Sequence, residues 1–309
     1  MSPERIGVVA AAGAAVVFGI AYPATAIALR SFSPLGVAAL QCSLGLLAVV
    51  GLAATGVIGR PALDGLPGPR LTRLVLLAAL GGTGFIVAVN LAVAAAGPTV
   101  TGFVATLYAV LATVFAIPLL REPVRPPVLL AFGLALVGTA LMAGVEPVGT
   151  AGLGIVLAFV AATCYGLFLV LARRWGPPYR LDGTLVTIGV LVGRGPILMA
   201  VELVREPAAL VPASPDLAAL VALAVLVVGP AVAGQLLVLA SVRRVPARTT
   251  SASLLLTPIA SAVVGWIVVG ATLEPLELVG AAILLGSMGV ASGAVDQVRR
   301  WATLSARQA

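Results

Sequence analysis

Asn90 and Gln235 are carboxamides set inside otherwise apolar runs. Tyr22 and Tyr165 are phenols in the same setting, and Ser253, Thr257 and Ser261 recur at intervals of four. At helical spacing such groups form stripes of hydrogen-bond donors and acceptors on one face. That is chemistry for holding a solute rather than for breaking a bond. The chain has no histidine and no lysine, and no buried pair of carboxylates can be read from it. Neither a nucleophile with its base nor a metal or dicarboxylate site assembles. Cys42 and Cys164 each lie in an apolar segment, where a lone cysteine lacks a base and reads as a small packing residue. The expectation is a protein that is not an enzyme and uses no cofactor or metal.

An amide at membrane depth is costly without a partner, so Asn90 and Gln235 read as functional. Tyr22 and Tyr165 divide evenly between filling the core and lining a cavity. For Ser253 and Thr257 the competing explanation is close helix approach or a bond to their own backbone. Together these six residues are the candidate substrate contacts, and they suit a neutral or zwitterionic molecule. Pro23 adds a backbone acceptor beside Tyr22, because proline frees the carbonyl of Gly19. Arg194 stands in Gly193-Arg194-Gly195-Pro196, and an isolated arginine at that depth must be paired or reach water. Glu202 lies eight residues on, about two helical turns away on a similar face. The expected role is a structural or gating ion pair, linked through water or a neighbouring helix; substrate contact is the alternative. Asp64, Glu122, Glu146, Asp182, Glu274 and Glu277 fall in loops or at span ends. Facilitated efflux or exchange is therefore favoured over proton antiport.

These groups need apolar elements to carry them. Only 9% of the 309 residues are charged and 61% are hydrophobic, with a mean hydropathy of +1.18. A soluble domain carries about 25% charged residues, so the solvent of this chain is lipid. Spans of roughly 20 apolar residues are expected at 6–30, 34–57, 73–96, 99–119, 126–144, 152–174, 183–203, 217–241, 249–270 and 275–295. Ala24-Thr25-Ala26 resembles a signal-peptide cleavage site, but Glu4 interrupts the basic leader and the apolar run is too long, so the first span is expected to be retained. With the N-terminus inside, fifteen arginines fall in inner segments against two, Arg30 and Arg205, outside. That bias places both termini in the cytoplasm of an inner- or plasma-membrane protein. The arginines are scattered between spans rather than gathered on a stripe, which argues against nucleic acid as a partner.

The chain also repeats itself. Thr99 matches Thr249, Thr101 matches Ser251, and Glu122-Pro123 falls on Glu274-Pro275 after a two-residue gap. Phe18-Gly19 matches Tyr165-Gly166. Two halves follow, 1–146 and 147–309, each of five spans. Five is odd, so the second half enters from the opposite side, the inverted repeat of many secondary transporters. In the pairing, Ser253 and Thr257 face Phe103 and Leu107, one polar wall and one apolar, which suits an amphipathic solute. The Gly189–Gly193 and Gly289–Gly293 spacings could serve helix pairing, and a homodimer through the fifth or tenth span is the protein partner this allows.

At Leu119-Leu120-Arg121-Glu122-Pro123, and at Phe32-Ser33-Pro34-Leu35 running into Ala39-Leu40-Gln41, the chain resembles the EamA-like family of the drug/metabolite transporter superfamily. It departs from the pattern at Gln41, where the family often has arginine, and at Leu273, which replaces a basic residue. The resemblance implies an all-α membrane protein of ten transmembrane helices in two inverted five-helix repeats. It also implies export of small metabolites such as amino acids. The first, third, fourth, sixth, eighth and ninth spans would line the cavity, with the fifth, seventh and tenth outside it. Those lining spans carry no arginine at depth, which argues against phosphorylated substrates. A lipid or lipid-linked sugar flippase and a xenobiotic efflux carrier are the alternative functions.

Overall fold

The computed structural model describes residues 3–56, 68–123, 126–142, 150–242 except 177, 180, 182, 213 and 215, then 244, 253–254 and 256–291. Every regular element among them is helical. The apolar runs give ten spans: α1 (Pro3–Ala28), α2 (Pro34–Ala54), α3 (68–96), α4 (98–120), α5 (Pro126–Met142), α6 (Thr150–Trp175), α7 (Gly183–Arg205), α8 (217–242), α9 (256–269) and α10 (Pro275–Ala291). Residues 249–252, expected to open the ninth span, lie outside the described residues. Five stretches are individually long and apolar enough to cross a membrane. One of them, Gly68–Ala105, runs through the corner between α3 and α4.

Local chemistry sets the boundaries. Ser33 caps α2, accepting from the Gly36 amide at 2.9 Å, with Pro34 in the first turn. Asp216 caps α8 by accepting from the Ala218 amide. Both caps satisfy amides that the first helical turn leaves free. The α3–α4 corner rests on Gly97 at φ 77° and ψ 170°, a conformation open to glycine, followed by Pro98, which has no amide to continue the helix.

Three wider turns were not foreseen. The chain is π-helical at Ala79–Gly84 in α3, Val227–Gly234 in α8 and Gly265–Val269 in α9. The first contains Gly81, Gly82 and Gly84, and the second contains Pro230. A proline removes one i−4 bond and weak helix formers tolerate a changed register. The bulges of α3 and α8 occupy corresponding places in the two halves, and each receives an aromatic ring. A Cβ on Gly81 would lie 2.4 Å from the Phe168 ring, and one on Gly234 2.7 Å from Phe18.

Packing follows the same exchange. Helix α1 lies against α8 and α9, while α6 lies against α3 and α4; α2 packs on α7 and α5 on α10. The first helix of each half thus docks on the third and fourth helices of the other, and the space between halves is enclosed by both. Glycines let the backbones meet. Gly19 sits on α9 and Gly166 on α4, at matched positions of the halves, and Gly154 sits on Ala96. Gly189 and Gly193 face Leu74 and Ala78 of α3, so this GxxxG pair is occupied within the chain. Leu47, Val204, Leu217 and Trp266 point outward and exposed, as lipid-facing side chains do.

A Cβ on Gly154 would fall 2.5 Å from the Ala96 Cβ and 2.7 Å from its amide nitrogen. Gly154→Val is therefore expected to destabilise the fold by about 1–3 kcal/mol, the usual range for overpacking. A melting curve in detergent checks this. An unchanged midpoint would mean that α6 and α3 do not touch there.

Candidate functional site

Between the halves lies a cavity of about 720 Å³. Its wall includes Phe18, Tyr22 and Thr25 of α1, Gln41 of α2, and Phe85 and Asn90 of α3. Thr106, Tyr108 and Thr113 of α4, Tyr165 and Phe168 of α6, and Thr257 of α9 also border it. Leu226, Pro230 and Ala231 bring in α8. The space reaches Leu120, Glu122 and Arg173 at one end of the bundle. A shallower vestibule continues there over Arg121, Arg174 and Pro178. The cavity mouth is thus at the arginine-rich end.

The opposite end is shut by contacts among loops and helix starts. Asn90 Nδ2 donates to the Pro34 carbonyl at 3.1 Å, and the Ser33 hydroxyl donates to the Glu202 carboxylate. The Asp216 amide donates to Ser31 Oγ, and the Ser261 hydroxyl donates to the Pro98 carbonyl at 3.3 Å. The Asn90 bond holds α3 to α2 within the first half, and the other three tie the end of α1 and the starts of α2 and α4 to α8, α7 and α9 across the halves.

Four of the six expected substrate contacts meet at this cavity: Tyr22, Asn90, Tyr165 and Thr257. Asn90 is fully buried, and among the described residues its Oδ1 has no hydrogen-bond partner; Thr257 Oγ1 is likewise buried and unpartnered among them. Tyr22 shares a side-chain hydrogen bond with Thr106. Ser253 is described but does not line the cavity. Gln235 opens the last segment of α8, directly after its π-helical turn, and its side chain lies outside the described ones.

Arg194 and Glu202 stand apart. Glu202 is 2% exposed and turned to Ser33 at the closed end. Arg194 lines the cavity instead, and among the described residues no carboxylate comes within 4 Å of its guanidinium. Spacing of eight on one helix face put both on the same side of α7, but the neighbours at the two levels differ. The expectation that α7 stays outside the cavity also fails, since Val190, Leu191 and Arg194 are part of the wall.

Several wall residues were missed as contacts. Thr106 and Thr113 donate to the Gly102 and Ala109 carbonyls of their own helix, which is how a threonine buried among apolar residues is ordinarily satisfied. Their cavity position leaves no mark in the sequence. Tyr108 and Gln41 did carry a signal, as polar groups in apolar runs. Tyr165 is the hub of an aromatic wall, with ring centroids 4.7 Å from Phe85, 4.8 Å from Tyr108 and 5.3 Å from Phe168.

At the mouth, Arg173 and Glu122 form an ion pair at 3.0 Å, with side chains 70% and 39% exposed. A pair so hydrated is worth about 0.2–1 kcal/mol. Glu122→Gln is expected to leave the melting midpoint nearly unmoved at physiological salt; a large drop would show that the pair bears structural load.

The family model described as the EamA-like transporter family matches twice, over residues 5–144 and 152–293. No curated protein matches the sequence. Among 27 solved chains that match, one crystal structure, described only as that of a protein, is 20% identical. It aligns over 94% of this chain and 97% of its own, with a TM-score of 0.66. At that identity the likeness speaks for the fold alone.

Proposed function

The chain belongs to the EamA-like transporter family, and from that premise we propose a secondary carrier that exports small polar or amphipathic metabolites, amino acids first among them, by alternating access. The observation that carries this reading is the cavity enclosed by both repeats, open at the arginine-rich end and shut at the other. The arginine bias argues that the open end faces the cytoplasm, with both termini there, in the inner or plasma membrane. In this state a cytoplasmic solute has access to the aromatic wall around Tyr165, while Tyr22 and Asn90 are buried in the cavity lining. Release on the far side requires the closing bonds around Ser33, Pro34 and Pro98 to part while the mouth between α4 and α6 shuts. The two halves make matched cross-contacts, so exchanging their conformations supplies such a state.

A second reading is favoured by one observation. A cavity of about 720 Å³ lies within the range of roughly 300–1,000 Å³ that holds drug-sized ligands. Export of larger amphipathic compounds is therefore the alternative. For the energy source, Glu202 is the buried carboxylate among the described residues, and it sits at the closed end. We therefore favour facilitated efflux or exchange.

Metabolite profiling of the medium, with and without induced protein at matched growth, tests the proposal. Accumulation of one amino acid or a related group outside the induced cells is expected. An unchanged medium despite verified membrane expression would overturn amino-acid export and advance the xenobiotic reading.

A further inference from the structure

Arg194 is the twelfth of 23 residues in α7, at mid-membrane depth, on a helix that packs on α2 and α3 and adds Val190 and Leu191 to the cavity wall. Its route to the cavity is built by small residues. On either side of it the helix has no room: a Cβ on Gly193 would meet Ala78 at 2.5 Å, and one on Gly195 would sit 3.1 Å from the backbone at Cys42 and Ser43. Helix α7 is thus wedged against both α2 and α3. The gap between them is opened by the π-helical turn of α3, where a Cβ on Gly82 would lie 3.3 Å from Arg194 Cδ. The side chain passes over Gly82, and its guanidinium comes against the Cys42 side chain and within electrostatic reach of Tyr165. Its Nε is buried with no hydrogen-bond partner, as is Gln41 Oε1 on the same wall.

Among the described residues no anion lies beside this cation, and an unpaired cation at this depth is expensive. The arginine presents a planar fork of donors that matches a carboxylate. Resting on the transport reading above, we propose that Arg194 is the anion anchor of the transport site and selects solutes bearing a single carboxylate, amino acids and simple organic acids. One fixed positive charge balances one carboxylate and leaves a phosphate dianion half compensated. The ammonium of an amino acid would meet the faces of the aromatic wall around Tyr165. An amine lacking the carboxylate meets the like charge of Arg194 and is rejected.

The test is binding to detergent-purified protein, measured by calorimetry with three probes that share the isobutyl side chain: L-leucine, 4-methylpentanoate, which lacks the amine, and isopentylamine, which lacks the carboxylate. Wild type is expected to bind the first two and to reject the amine. Arg194→Gln is expected to weaken both at least tenfold, and Arg194→Lys to recover part of the loss. Wild-type binding of isopentylamine as tight as that of leucine overturns the assignment without any variant. Leucine affinity unchanged in Arg194→Gln overturns it as well, and in both cases the transport reading stands. Failure of wild type to bind any of the three overturns the amino-acid reading and this inference with it.

Discussion

Replacing Gly19 by leucine is expected to abolish transport. A Cβ at this position would lie 2.6 Å from both the Ala260 Cβ and the Thr257 carbonyl, and 3.0 Å from the Ser261 amide nitrogen. Two of those three atoms are backbone, so rotamer changes cannot relieve the clash and α1 must leave α9. Overpacking a buried contact ordinarily costs about 1–3 kcal/mol, and this one exceeds that range because it separates the halves. Transport should fall about a hundredfold or more, which corresponds to about 3 kcal/mol at 1.4 kcal/mol per decade. Gly166→Leu makes the same demand on α4, at 3.2 Å from Leu111, Ala112 and Tyr108, with a milder loss. Gly51→Leu is the control, because nothing lies within 4 Å of its Cβ position. Initial transport rates and melting curves of the three variants decide the matter. Near-normal transport by Gly19→Leu would mean that α1 and α9 are not held together as the structure has them.

Removing the Tyr165 ring should have the next largest effect. The ring touches Phe85, Tyr108 and Phe168, and aromatic pairs contribute about 0.5–1.5 kcal/mol each beyond area burial. It also borders the cavity beside the route of Arg194. Tyr165→Ala is expected to lower transport at least about tenfold, a loss of about 1.4 kcal/mol, together with a lower melting midpoint. Tyr165→Phe keeps the ring contacts and should melt like wild type, so its transport rate isolates the hydroxyl. If Tyr165→Ala transports normally, the aromatic wall is scaffold and the solute binds elsewhere.

The ten spans were legible because each needs a long apolar run that little else in a chain produces. The repeat was legible because Glu122-Pro123 recurs as Glu274-Pro275, each after the fourth span of its half, and the family model matches once over each half. Even the crossing glycines could be paired, since Gly19 and Gly166 follow matched aromatic residues. The π-helical turns were not legible, because hydropathy reports which face is apolar and says nothing of hydrogen-bond register. That gap had a consequence at Arg194. Without the widened turn at Gly82, an arginine on an outer helix has no visible path to the cavity, and pairing with Glu202 was the natural expectation. The partner of Glu202 is Ser33, 169 residues away, a distance over which helical spacing carries no information. Thr106 and Thr113 were hidden for a different reason, since their hydroxyls bond their own backbone whether or not a cavity lies beside them.

In the proposed function a solute crosses through the cavity between the two halves. Counterflow in liposomes tests it most directly, with purified protein, unlabelled L-leucine inside and a trace of labelled L-leucine outside. Redistribution of labelled lipid is followed in parallel. Transient uptake of the label is expected, which protein-free liposomes lack, which Gly19→Leu abolishes, and which proceeds without lipid scrambling. Lipid redistribution with no solute exchange would contradict the proposed function and make this chain a flippase.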